Sequence, residues 1–228
     1  MLIYKFKEEL INAIFLRRLN KFLVEVNVNG RVEYAHLHDP GRLEEILIKG
    51  RNLLLAERNG KRKTKYDVIS AYLNEWVFVH SGYHSIFAEN ILNKKLIEEL
   101  KNYKIKKREY KHGKSRIDFL LVNQKNCLLE VKGCTLVNKG IAFFPDAPTS
   151  RSYRHVFELI EASKKGYDIA FLFLVMREAE YFSPNYEIDK KFSEALRECH
   201  SKNAKIVACR LKFDGKNVFY IRRIPVII

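Results

Sequence analysis

Apolar and polar residues fall in short runs along most of this chain, and the first third repeats at a strand period rather than a helical one. The runs Phe22–Val28 and Arg31–Leu37 flank Asn29-Gly30. Both residues of that dipeptide tolerate positive φ, so the pattern predicts an antiparallel hairpin. The apolar positions do not align cleanly across a two-residue turn, which a bulge would accommodate. Residues 1–17 read as one long strand or two broken ones. After the hairpin, Asp39 caps a short helix, Pro40 fits its first position and Gly50 follows it. Leu43, Ile46 and Leu47 form its apolar side. Arg51–Glu57 and Tyr66–Leu73 make a second strand pair, and Trp76–Val79 a last strand or a linker. Three strands, a helix and two strands form the layout of an OB-like β-barrel, here over residues 1–80.

The period then changes. Ser85 caps a helix to about Leu100, with Phe87, Ile91, Leu96, Ile97 and Leu100 inward and Asn93-Lys94-Lys95 as a point of interruption. Ile117–Val122 and Cys127–Val131 flank the polar turn Asn123-Gln124-Lys125-Asn126, and Thr135–Val137 and Ile141–Phe144 flank Asn138-Lys139-Gly140. A helix follows from Ser150 to about Lys165, capped by Thr149 or Ser150. Its spacing puts Tyr153, Val156, Phe157 and Ile160 toward a sheet and Arg151, His155 and Glu158 on another face. Asp168–Val175 is nearly all apolar and reads as a central buried strand. Ile188–His200 is a second amphipathic helix, and Ala204–Phe213 and Asn217–Ile224 flank Asp214-Gly215. Residues 81–228 therefore read as an α/β domain with a mixed sheet, giving an α+β/α/β two-domain chain.

Three charges interrupt the apolar strands of the 115–132 hairpin: Asp118, Glu130 and Lys132. A charge inside a buried strand is costly unless it is paired, binds a metal or does chemistry. Alternation puts Glu130 and Lys132 on one face, and a turn centred near Gln124 puts Asp118 opposite Glu130. Two carboxylates and an ammonium at one place suit a Mg²⁺ or Mn²⁺ site that leaves positions for water and phosphate oxygens.

Charge adds to this picture. Among 228 residues, 42 Lys and Arg stand against 27 Asp and Glu, a net charge of +15. That excess suits a polyanion, and it is clustered. The loop Arg58–Lys65 holds Arg58, Lys61, Arg62, Lys63 and Lys65 with no acid. OB-folds often hold nucleic acid at this loop. Between Lys101 and Arg116 lie eight cations, including Lys106, Lys107, Arg108, Lys111, Lys114 and Arg116, against Glu109 alone. Such a strand tracks a phosphate backbone and sets affinity and salt dependence.

Asp118 followed by Glu130-Val131-Lys132 resembles the PD-(D/E)xK nuclease signature, with Ile117 in its first position. A longer series carries a more specific likeness. Phe22-Leu23-Val24-Glu25-Val26, His36-Leu37-His38-Asp39-Pro40-Gly41-Arg42-Leu43, Ser115–Phe119, Glu130–Val137 and Phe144–Thr149 occur in order. Together they resemble the sugar fermentation stimulation protein A (SfsA) family across nearly the whole chain. The resemblance implies an OB-like domain, a nuclease-like domain and DNA binding. It also implies a metal held by Asp118, Glu130 and the Val131 carbonyl, with Lys132 positioning water or stabilising the transition state. In such nucleases a helix carboxylate sometimes joins the site, which makes Glu89 a candidate. The helix after the E-x-K strand runs past the metal, so Arg151 and His155 are candidates to hold phosphate. Asp146 is a candidate to orient one of them or cap the helix. The expected function is metal-dependent phosphodiester cleavage of DNA, with RNA left open; the alternative is a non-catalytic regulator of sugar metabolism that keeps the fold.

Other chemistry finds less support. The chain has no Walker loop, no Rossmann glycine motif, no nucleophile elbow and no helix-turn-helix signature. His36 and His38 share a strand face without a third ligand nearby in sequence. Cys127, Cys134, Cys199 and Cys209 lack zinc spacing and read as buried thiols. Charges within residues 1–15 argue against a signal peptide, and no run reaches the ~20 apolar residues of a membrane helix. The expectation is a cytoplasmic protein. Cutting both strands of a duplex often takes two sites, which a homodimer would supply.

Overall fold

Asn29 and Gly30 take φ of 51° and 83°, and the strands they join run in unbroken register from Val28↔Arg31 to Leu23↔His36. No bulge is needed there; the irregularities lie on the neighbouring strand pair instead. The computed structural model describes residues 1–60 and 62–228. They divide into one unit of Met1–Tyr83 with Leu211–Tyr220, and another of His84–Arg210 with Ile221–Ile228.

The first unit contains β1 (Leu2–Lys5), β2 (Ile11–Asn20), β3 (Leu23–Val28), β4 (Arg31–His36), β5 (Asn52–Glu57), β6 (Tyr66–Tyr72) and β7 (Trp76–Phe78). Strands pair in the order β4-β3-β2-β5-β6, and a parallel pairing of Ala35 with Tyr66 and His36 with Asp67 closes the ring. This is the five-stranded OB barrel. Val24, Val26, Ala35, Leu53 and Leu55 fill it and are fully buried. Phe213 pairs with Trp76, and residues 217–219 pair with β1, so the unit takes a hairpin from the far end of the chain. A linear boundary at residue 80 does not include that hairpin.

The helix expected after Asp39 does not form; residues 37–50 are turns. Leu43 sits at φ 52°, which ends any right-handed helix, and the Arg18 guanidinium donates to the Gly41 and Arg42 carbonyls at 2.8 and 2.7 Å. Asp39 accepts the Gly41 N–H at 2.8 Å in a local turn rather than a cap. Leu43 and Ile46 are buried all the same.

The second unit runs α1 (His84–Asn93), β8 (Lys104–His112), β9 (Ser115–Val122), β10 (Asn126–Cys134), β11 (Leu136–Asn138), β12 (Ile141–Phe144), α2 (Ser150–Lys164), β13 (Asp168–Val175), β14 (Tyr181–Pro184) and α3 (Lys190–Ser201). Most of β15 (Lys205–Phe213) and the end of β16 (Asn217–Ile224) complete it. Its main sheet is mixed, in the order β15-β13-β10-β9-β8. β10, β13 and β15 are parallel, while β9 and β8 are antiparallel additions. β11, β12 and β14 make a small second sheet. Thr149 caps α2 by accepting the Ser152 N–H, and Asp189 caps α3 by accepting that of Phe192. Lys95, at φ 55°, ends the α1 segment early.

α2 turns Val156 and Ile160 inward as expected, but not Tyr153 and Phe157. Ser152, His155, Val156, Leu159 and Ile160 are buried, while Tyr153 and Phe157 are exposed by 40% and 52%. His155 on the buried face contacts Glu130, and Leu159 joins Val156 and Ile160 in the core.

Candidate active site

Each site group comes from the β9–β10 hairpin or from the helix packed over it. The pairs Asn126↔Val122 to Leu129↔Phe119 continue to place Glu130 beside Asp118. The hydrogen bond from the Val131 N–H to Asp118 Oδ2, 2.7 Å, locks that position. Lys132, two residues on, points to the same face and donates from Nζ to Glu130 Oε1 at 2.6 Å. His155 Nδ1 of α2 bonds the same oxygen. Glu130 is 2% exposed and His155 4%.

Burial pushes the Glu130 carboxyl upward, but Lys132 and His155 outweigh it and hold the group below its ordinary value. Asp118 behaves in the opposite way. Burial, then the negative charge of Glu130, pushes it up to about 7. Near pH 7 one carboxylate is thus ionised while its neighbour is midway through its titration. Glu109, across the strand pair, adds a further upward push on Asp118. The sequence pattern does not reveal Glu109, because its role depends on strand register.

The residues fit a hard divalent cation. Glu130 Oε2 is buried and has no hydrogen-bond partner among the described residues. A carboxylate oxygen without a donor inside a protein is costly. A cation there would satisfy it and ionise Asp118. Oxygen donors of this kind suit Mg²⁺, Mn²⁺ or Ca²⁺.

The accessory candidates separate. His155 joins the site through Glu130. Glu89 accepts from Arg108 at 2.7 Å, and Arg108 stands opposite Phe119 in the strand register. Asp146 is half-buried and Arg151 exposed on the first turn of α2.

The cations are also unequal. Lys106, Lys107, Lys111, Lys114 and Arg116 are exposed on and beside the edge strand β8, while Arg108 is engaged by Glu89. In the barrel loop, Lys63 is exposed and Lys65 pairs with Glu57 at 3.0 Å. Lys61 lies outside the described residues. Arg58 and Arg62 are turned inward to Asp67, at 2.9 and 2.6 Å, and Arg58 also reaches Glu8 and Tyr83.

Asp67 is the centre of a second cluster. His38 and His80 Nε2 lie 3.4 and 3.7 Å from its Oδ2. These are the one group of three potential metal ligands in close reach among the described residues. The sequence pattern singles out His38 without its partners, which come from two other strand ends. The rings stack with centroids 3.7 Å apart and 24° between planes. Two guanidiniums already occupy Asp67. The cluster reads as a structural clamp on Arg58 and Arg62.

Comparison with known proteins gives the lineage. A family model described as the sugar fermentation stimulation protein RE domain matches residues 82–217, and one for the SfsA N-terminal OB domain matches residues 16–79. The chain belongs to the sugar fermentation stimulation protein family. The homologue from Methanothermobacter thermautotrophicus is 44% identical over 233 residues, covering 99% of this chain and 97% of that one. The Thermosipho melanesiensis homologue is 43% identical over 218 residues, covering 95% and 94%. The structure of Pyrococcus furiosus SfsA in complex with Ca²⁺ superposes with a TM-score of 0.93 at 29% identity, over 100% of both chains. In this SfsA family member no helix among the described residues is long and apolar enough to cross a membrane.

Proposed function

We propose that this SfsA family member binds DNA and hydrolyses phosphodiester bonds with the help of Mg²⁺ or Mn²⁺. Asp118 and Glu130 would hold the ion, with the Val131 carbonyl as a further ligand. The observation that carries the reading is the buried, unpartnered Glu130 Oε2 beside a carboxyl that burial and charge keep poised near neutrality. The Ca²⁺ complex of the P. furiosus relative supports it, since Ca²⁺ takes the same hard oxygen donors.

When bound, a dication lowers the pKa of water and offsets charge on phosphate oxygens. The chain's own groups divide the remaining work. Lys132, whose Nζ donates to Glu130, would hold a phosphate oxygen or orient the attacking water. His155 keeps Glu130 fixed and ionised, a positioning role. The exposed cations of β8 and Lys114 and Arg116 would hold the backbone on either side of the reacting phosphate. In this reading residues 1–80 bind nucleic acid and residues 81–228 carry the cleavage site, in a cytoplasmic protein.

A second reading has its own observation. Without metal, Lys132 and His155 already satisfy one Glu130 oxygen, and the Val131 N–H satisfies one of Asp118. A DNA-binding regulator could keep this network for stability alone. Plasmid and single-stranded DNA incubated with Mn²⁺ separate the two. Cleavage by the wild type that disappears in Asp118→Ala and Lys132→Ala supports the enzyme. Cleavage that persists in both variants removes the site assignment. Retained DNA binding without cleavage on any substrate favours the regulator.

A further inference from the structure

The outer face of the barrel carries aromatic rings that the cleavage site does not use. Tyr34 and His36 point outward from β4, since the alternate residue Ala35 is fully buried. Tyr34 is 48% exposed, and Phe22, in the turn just before β3, is 45% exposed. The Phe22 ring lies nearly parallel to the His36 imidazole, 18° between planes and 6.1 Å between centroids. Together with Leu23, Arg62 and Lys63 these rings line a groove of about 560 Å³ whose lining residues include no acid.

The charges around the rings favour an anion. Lys21 Nζ stands 5.9 Å over the Phe22 ring, and Lys63 borders the groove. Arg62 is held in place by Asp67 while its side chain remains 37% exposed. The carboxylate paired with Tyr34 across the strands, Glu25, is covered by two hydrogen bonds from Arg17 at 2.6 and 3.0 Å. The His36 ring is itself held edge-on against His38, with centroids 4.3 Å apart, which fixes it beside Phe22.

Flat rings beside cations, without acid, match a strand whose bases are open on their faces. A duplex hides those faces inside its stack; an unpaired strand offers them. We propose that Phe22 and Tyr34 form a base-stacking platform that makes the barrel prefer single-stranded over duplex nucleic acid. This rests on the nucleic-acid reading above and specifies the form of the polymer.

The test is fluorescence anisotropy with a labelled oligothymidylate of about twelve nucleotides, a length within the site sizes of OB-folds. A duplex of the same length is titrated at the same salt. The wild type should bind the single strand more tightly. Phe22→Ala and Tyr34→Ala should each weaken single-strand binding by about 5-fold or more, with duplex binding unchanged. Tyr34→Trp should restore binding, and its emission should be quenched by the oligonucleotide. Both rings are exposed, so a thermal melt of each variant should match the wild type. Equal losses on both polymers, or no loss on the single strand, would overturn the platform and leave DNA binding and cleavage standing. A wild type that binds neither polymer would overturn both.

Discussion

Replacing Asp118 with Asn should stabilise the metal-free protein at alkaline pH. The carboxyl moves from an ordinary value of 3.8 to about 7 in the folded chain. Each tenfold change in the protonation equilibrium is worth about 1.36 kcal/mol. Keeping Asp118 ionised in the folded state at pH 8 therefore costs on the order of 4 kcal/mol. The sign follows from proton binding. Between pH 4 and 7 the folded chain holds a proton on Asp118 that the unfolded chain has released, so stability falls as pH rises through that range. Asn is always neutral, and its carbonyl oxygen can still accept the Val131 N–H. Urea denaturation in chelator, repeated from pH 4 to pH 8, should show Asp118→Asn equal to the wild type at the acidic end. It should become more stable by up to a few kcal/mol at the alkaline end. Mn²⁺ at pH 8 should then stabilise the wild type and leave the variant unchanged. A constant offset across pH, or a variant that is weaker at pH 8, would refute the reasoning.

Other outcomes follow from the same geometry. Asp67→Ala removes the acid shared by Arg58 and Arg62, and should cost about 1–3 kcal/mol in a thermal or denaturant melt, since both guanidiniums keep contact with solvent and Arg58 keeps Glu8. Gly133→Ala places a methyl inside the His84 imidazole one residue after Lys132, and should cost about 1–3 kcal/mol; His84→Ala in the same chain should recover part of it. Combined Lys106→Ala, Lys107→Ala and Lys111→Ala should flatten the salt dependence of DNA binding, measured as log K against log salt, by about one counterion for each phosphate no longer neutralised. His155→Leu removes a partner of Glu130 and should shift the pH profile of Mn²⁺ binding to higher pH.

The hairpins were legible because turn chemistry is local. Asn29-Gly30 and Asp214-Gly215 name their own turns, and the turn length after Val122 puts Asp118 opposite Glu130 by counting alone. The two carboxylates and the lysine were therefore visible before the fold was known. What was not visible depends on residues distant in sequence. The turn at Asp39–Gly50 reads as helix until Arg18, from another strand, takes its carbonyls. The helical wheel of α2 put Tyr153, Val156, Phe157 and Ile160 inward; Val156 and Ile160 are, while the two rings are exposed and His155 lies inside against the acid at Glu130. Asp67, His38 and His80 meet through strand ends of the barrel, and no spacing in the sequence announces them. The basic loop read as five phosphate ligands; Arg58 and Arg62 also pair with an internal acid, which leaves Arg62 partly exposed.

A Mn²⁺-soaked crystal measured for anomalous scattering bears most directly on the central claim. The account predicts a peak beside Asp118 and Glu130 Oε2 that disappears in Asp118→Ala. A peak at His38, Asp67 and His80 with none beside Glu130, or no peak at saturating metal, would contradict it.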